Sequence, residues 1–227
     1  MSKRYERNYT TISLEDQDKL KASCIAIVGL GGLGGYVAEQ LARIGVGKLI
    51  LIDGDVFDET NLNRQLLATE STLGKYKAEV AQQRIQDVNP TVETKVYVRR
   101  LNPENALELL DGANLVIDAV DTIPVRKLIQ DVCEVMGLPL VHGAISGWYG
   151  QIAFILPKDR VMESLYPHEA QRGIETQLGN PSFTPGLVAS IEVAEAVKWI
   201  LKKGTLLHRK VLRIDLLEQE YEIIEID

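Results

Sequence analysis

Apolar residues occur along this chain in short blocks separated by polar punctuation. Cys24–Val28 is unbroken, Lys48–Ile52 is apolar behind its lysine, and Leu115–Ala119 is interrupted only by Asp118. Apolar runs this short, bounded by turn residues, predict strands buried on both faces. Between them the period lengthens. Leu33–Ile44 reads as a helix, and Gly74–Val88 sets Ala78, Ala81, Ile85 and Val88 at helical spacing until Asn89-Pro90 closes it. Val92–Val98 predicts a strand and Pro103–Leu110 a helix. Ile123–Met136 predicts a helix with Pro124 in its first turn, where a missing N–H does no harm. Leu138–His142 and Gln151–Leu156 read as strands and Gly186–Lys202 as a helix. Val211–Asp215 and Glu220–Ile226 read as a closing antiparallel pair.

Strand-helix alternation of this kind implies an α/β fold, a doubly wound, mostly parallel, Rossmann-like sheet with antiparallel C-terminal edge strands. The 227 residues are expected to form one domain, with an N-terminal arm and helix over 1–22. Residues 157–185 break the rhythm. They hold Pro167, Gly173, Gly179, Asn180, Pro181 and Pro185 and little periodicity, so a long functional crossing loop is expected there.

Composition narrows the function classes. A net charge of −7 argues against a nucleic acid as primary partner. No apolar run approaches the ~18 residues of a membrane helix. The polar start MSKRYERNYTTISLEDQD lacks the apolar core of a signal peptide, so a cytoplasmic protein is expected. Cys24 and Cys133 lie far apart, belong to no C-x-x-C pair, and read as inert core residues rather than nucleophiles or zinc ligands.

The chemistry concentrates after the first strand, in IVGLGGLGG. Gly29 permits a tight turn, Gly31 lets a phosphate approach the backbone, and Gly34 lets the following helix pack close. The helix N-terminus then offers N–H groups and partial positive charge to an anion. Asp53, at the end of the next strand, stands where a carboxylate accepts from ribose hydroxyls. Either a nicotinamide dinucleotide or ATP satisfies this much. Two features favour the triphosphate: the extra glycines Gly32 and Gly35, and the polar stretch DGDVFDETNLNRQLL. In it Asn61 and Arg64 share a face, Gln65 flanks the arginine, and Lys77 follows in GKYK. Asp121, just past the end of a buried strand, suits Mg²⁺ beside phosphates, although an N-cap role for the next helix is the other reading. Asp118 is expected to brace backbone. His142 is expected to be packed or hydrogen-bonded, and His208 has no assigned role.

Six ordered motifs, GLGGLG, DGDVFDETNLNRQ, GKYKAEVA, NPTVE, DAVDTIPVR and GAISGWYGQI, together resemble the ThiF/MoeB/HesA group of adenylyltransferases, relatives of ubiquitin-activating enzymes. The resemblance covers nearly the whole chain. It implies ATP- and Mg²⁺-dependent adenylation of the C-terminal glycine carboxylate of a ubiquitin-like sulfur carrier, in thiamine or in molybdenum or tungsten cofactor synthesis. It implies Asp53 on the ribose with Asp55 in the same nucleotide site. Gly29, Gly31, Gly32 and Gly34 would form the cradle. Asn61, Arg64 and Lys77 would lie on the phosphates with Gln65 beside them, and Asp121 on Mg²⁺. It also implies a homodimer in which Arg7, in RYERN, reaches the partner's site.

The sequence departs from the group at its cysteines. The region of the first structural-zinc pair reads KDRVMESLYP, with Met162 and Ser164. The crossover-loop cysteine is missing from GIETQLGNPSFTP, and Arg172 and His168 earlier in the same loop are candidate substrate contacts. No zinc site is expected, and covalent thioester chemistry on that loop is in doubt while adenylation is not. Alternatives are adenylation of a small-molecule or nucleoside carboxylate, an NAD-dependent oxidoreductase, and a nucleotide-binding scaffold without activity.

Overall fold

The computed structural model describes residues 3–166 and 175–226. Strands β1 (Cys24–Val28), β2 (Lys48–Ile52), β3 (Glu93–Tyr97), β4 (Leu115–Asp118), β5 (Leu140–Ser146), β6 (Tyr149–Ile155), β7 (Lys210–Asp215) and β8 (Glu220–Glu225) form one sheet, in the order β3-β2-β1-β4-β5-β6-β7-β8. The first five run parallel and the last three antiparallel, as expected. The helices are α1 (Leu14–Lys21), α2 (Gly32–Ile44), α3 (Lys77–Val88), α4 (Ala106–Leu109), α5 (Ile123–Met136), α6 (Val161–Leu165), α7 (Glu175–Leu178) and α8 (Phe183–Leu201).

Alternation along the buried strands divides two cores between the faces of the sheet. Ile25, Ile27, Leu49, Leu51, Leu115 and Ile117 pack with α2, α3 and α8. Their neighbours Ala26, Val28, Ile50, Ile52 and Val116 pack with α4, α5 and α6. The chain winds outward from β1 to β2 and β3, and then from β4 to β5. Between β1 and β4 the direction of winding reverses, and a crevice opens there at the carboxyl ends of the strands.

Several boundaries differ from expectation. α3 starts at Lys77 rather than Gly74, because Gly74 takes a left-handed φ of +76° and Tyr76 bridges to Val56. The helix expected over Pro103–Leu110 shrinks to α4. β5 spans Leu140–Ser146 rather than stopping at His142. It continues into a hairpin with β6, whose two-residue turn, Gly147-Trp148, puts Gly147 at φ +56°. Residues 157–185 hold α6, α7 and the first turn of α8, which accepts Pro185 because an N–H there has no helical partner anyway. His168 and Arg172 lie outside the described residues.

Candidate active site

The glycine turn sits in the crevice at the switch point. Gly29 has φ +88°, and a Cβ there would come 2.7 Å from Ala119 O. A Cβ on Gly34 would come 1.9 Å from Gly29 O, so α2 rests on the turn with no room for a methyl group. Gly31 caps α2 without a side-chain hydrogen bond, leaving the helix N–H groups toward the crevice. The loop is held from the side. Asp53 Oδ2 accepts from Leu30 N at 2.7 Å and its Oδ1 from Asp55 N at 2.8 Å. Burial pushes the Asp53 carboxyl above its usual range, against those two N–H donors and the Lys77 charge.

A cavity of about 480 Å³ runs from this turn across the ends of β2, β1, β4 and β5. Of the residues expected at the site, Gly29, Gly31, Gly32, Asp53, Asp55, Arg64, Gln65, Lys77 and Asp121 line it. Lys77, the first residue of α3, is buried to 8% exposure. Its Nζ lies 3.6 Å from Asp55 Oδ2 and 6.0 Å from the centre of the Phe57 ring. Arg64 is steadied by its own loop, donating through Nη1 to Thr60 O at 3.0 Å and Asn63 Oδ1 at 2.8 Å. The Nε–Nη2 edge of the guanidinium is not used in either bond and suits phosphate oxygens. Asp121 follows β4 on the exposed lip of the cavity.

Three expected residues lie elsewhere. Gly34 serves the helix packing described above rather than the lining. Asn61 is buried in the 3-10 helix Glu59–Asn61, its Oδ1 accepting from Asp58 N at 3.3 Å, and it is not among the lining residues. Arg7 is exposed on the 3-10 helix Lys3–Asn8. That helix docks through Arg4 Nη1 on Val88 O (2.5 Å) and through Tyr5 Oη, which accepts from Asn89 Nδ2 (2.8 Å). These contacts lie just before β3, at the end of the sheet opposite the cavity of the same chain.

The cavity also holds cations not anticipated from the sequence. Arg99 and Arg100 follow β3, and Arg100 Nη2 donates to Asp55 Oδ1 at 2.7 Å. That bond, with the charges of Asp55, Asp53 and Asp121, holds the guanidinium more firmly protonated. The signal was available: two arginines directly after a strand that ends at the ligand-binding edge of a parallel sheet.

Beneath the floor runs a buried polar chain. His142, fully buried, donates from Nδ1 to Asp118 Oδ2 at 2.7 Å, and its Nε2 meets Tyr166 Oη at 3.1 Å. Tyr166 Oη accepts from Arg126 Nη1 at 2.6 Å and Gln151 Nε2 at 2.8 Å. Arg126 returns to the floor, donating to Val120 O through Nε and Nη2. Asp118 Oδ1 accepts from Val120 N at 3.1 Å, so it braces backbone as expected. Burial lowers the His142 pKa and keeps the ring neutral, which suits one nitrogen donating while the other accepts. His208 pairs with Asp159 at 2.8 Å, away from the cavity. Cys24 and Cys133 are buried, free thiols. Burial is the main force raising Cys24, and it pushes Cys133 up to about 12.

Comparison with known proteins identifies the family of the chain. Residues 5–227 match the ThiF family. The chain is 34% identical to the SAMP-activating enzyme E1 of Haloferax volcanii over 97% of its length and 84% of the relative's. It is 38% identical to the sulfur carrier protein adenylyltransferase of Thermus thermophilus, covering 91% of this chain and 80% of that one. Among solved structures, PaaA superposes with a TM-score of 0.84 at 22% identity, covering 100% of this chain and 84% of that one, a likeness of fold.

Proposed function

The chain belongs to the ThiF family, and from that premise we propose that it is an ATP-dependent adenylyltransferase that activates the C-terminal carboxylate of a ubiquitin-like sulfur carrier. Relatives named as sulfur carrier protein adenylyltransferase and SAMP-activating enzyme support this substrate class. The observation that carries the reading is the convergence of Arg64, Lys77 and Asp121 with the glycine turn on one cavity.

A substrate carboxylate oxygen attacks the α-phosphorus of ATP. A new P–O bond forms, the bond to the bridging oxygen breaks, and acyl adenylate and pyrophosphate result. Two anions must meet, so positioning and charge neutralisation dominate. Asp53 receives the ribose, and the α2 N-terminus with Lys77 and Arg64 faces the phosphates. Asp121 and phosphate oxygens fit a magnesium ion, which takes one or two carboxylates and keeps its remaining ligands as water. Such an ion supplies further positive charge to the polyphosphate. Arg7 points away from its own site and completes the site of a partner in a homodimer, within a cytoplasmic, single-domain enzyme. Asn61 serves the phosphate loop by fixing its 3-10 turn. No step uses a side-chain nucleophile. Neither cysteine lines the cavity, a fact that also suits a small carboxylate as substrate.

ATP–pyrophosphate exchange tests the reading. Exchange should require a carrier ending in Gly-Gly, and Arg64→Ala or Asp121→Ala should each lower it about a hundredfold or more, the scale of losing one preorganised charge-stabilising group. Undiminished exchange in both variants, with the urea midpoint unchanged, rejects the site. Exchange with small carboxylic acids but no carrier selects the second substrate class.

A further inference from the structure

The buried polar chain beneath the floor closes on itself at one residue. Val120 N donates to Asp118 Oδ1 at 3.1 Å, and Asp118 Oδ2 accepts from His142 Nδ1 at 2.7 Å. With that ring nitrogen carrying the proton, His142 Nε2 accepts, and the Tyr166 hydroxyl donates to it at 3.1 Å. Tyr166 Oη in turn accepts from Arg126 Nη1 at 2.6 Å. Arg126 then returns to Val120 O, through Nε at 3.2 Å and Nη2 at 3.0 Å. The circuit leaves Val120 by its N–H and comes back to its carbonyl oxygen.

Asp118 and His142 are fully buried, and Arg126 is 5% exposed. Hydrogen bonds to a charged group are worth about 1.5–3 kcal/mol each, so a buried guanidinium that spends one edge on a carbonyl holds it firmly. That carbonyl belongs to the peptide bond leading into Asp121, and both Val120 and Asp121 line the cavity. On one side Ala119 N still donates to Val28 O at 2.9 Å; on the other, Thr122 caps α5 without a side-chain hydrogen bond. Between these points the circuit fixes both polar atoms of Val120, and with them the backbone from which the Asp121 side chain departs.

Tyr166 is the member of the circuit best suited to act from behind. It is not among the lining residues. Its hydroxyl is saturated, since Gln151 Nε2 also donates to it at 2.8 Å, and its ring centre lies 5.3 Å from Arg126 Cζ. Resting on the adenylation reading above, we propose that Tyr166 is a positioning residue for the cation site. Through Arg126 it sets the Val120–Asp121 peptide, and so presents the Asp121 carboxylate to the divalent ion carried on the ATP phosphates.

Binding of Mn²⁺, a spectroscopic substitute for Mg²⁺, tests this apart from catalysis. The ion is titrated, with electron paramagnetic resonance as the readout, into the protein with α,β-methylene-ATP, in which the bond that adenylation breaks is replaced. Tyr166→Phe should weaken Mn²⁺ binding about tenfold, the low end of what loss of a group behind a metal ligand costs, while affinity for the analogue in EDTA stays within about twofold. Arg126→Lys keeps the charge, loses the fork and should cost about as much. In an Asp121→Asn background the ion still has its phosphate ligands. There neither change should lower the affinity by more than about twofold, because the carboxylate being positioned is gone. Full Mn²⁺ affinity in folded Tyr166→Phe overturns the proposal. So does an equal loss in the Asp121→Asn background, the mark of a general loosening of the fold. Full affinity in Arg126→Lys overturns it as well, since charge rather than the clamp on Val120 would then set the site. If Asp121→Asn alone binds Mn²⁺ as tightly as the parent, the cation assignment fails and the positioning role falls with it. A parent that binds no analogue removes the adenylation reading itself.

Discussion

Glu192 offers a measurement of the field inside this sheet. It lies on α8, fully buried, and neither carboxyl oxygen has a hydrogen-bond partner. It fits only because β5 has a glycine opposite: a Cβ on Gly143 would come 2.4 Å from Glu192 Cδ. The charged groups that act on it through the sheet are Asp118 on β4 and Arg126 on α5. Burial raises the Glu192 pKa well above its ordinary 4.5, with Asp118 adding to the shift and Arg126 opposing it. The native state therefore keeps a proton that the unfolded chain releases above about pH 4.5, and stability falls as pH rises through that window. Each pH unit costs about 1.4 kcal/mol until the folded pKa is reached. Glu192→Gln keeps the shape and removes the titration. Urea unfolding of both proteins at pH 4.5, 5.5 and 6.5 should show the variant gaining on the parent by about 1.4 kcal/mol for each unit above 4.5. Burial lowers the His142 pKa alike in both proteins, so its contribution cancels in the difference. A gap that stays constant over this range would refute the argument that this carboxyl is buried without a partner.

The polar chain beneath the floor predicts that Tyr166→Phe costs about 2 kcal/mol in chemical denaturation, since Arg126, Gln151 and His142 all lose their shared partner. An effect below about 0.5 kcal/mol would mean that the hydroxyl is not their hub. Gly34→Ala forces α2 off the glycine turn and should destabilise by at least about 1–3 kcal/mol while weakening ATP binding in calorimetry; normal affinity in a folded variant would show that α2 does not set the phosphate cradle. Both thiols should resist a disulfide reagent at pH 8 in the native protein and react after unfolding, and fast native labelling of Cys133 would contradict its raised pKa.

Much of this was legible locally. Strands buried on both faces write themselves as unbroken apolar runs, so β1, β2 and β4 were plain, and the glycine turn with Asp53 and Asp121 follows from strand ends. Errors arose where a residue answers to a distant neighbour. Gly143 reads as a stop after His142, yet it continues β5 because a carboxyl from α8 occupies the space of its missing side chain. Pro185 reads as a break, yet it stands in a first helical turn that asks nothing of its nitrogen. Asn61, placed on the phosphates by the resemblance, is buried in the turn Glu59–Asn61 with its Oδ1 accepting from Asp58 N, a capping role that its spacing from Arg64 does not announce. The Tyr166 hub joins α5, β5 and β6 and leaves no local pattern at all.

The thiols bear on what happens after adenylation. An acyl adenylate is consumed by a nucleophile that reaches its carbonyl carbon, and in thiocarboxylate or thioester chemistry that nucleophile is sulfur. The sequence has two cysteines, and both are buried in the core behind β1 and α5, outside the cavity lining. Moving either to the site would require unpacking strand or helix, and in place burial pushes the Cys133 thiol up to about 12, far from the thiolate that attacks. Neither thiol is therefore placed to accept an acyl group formed in the cavity.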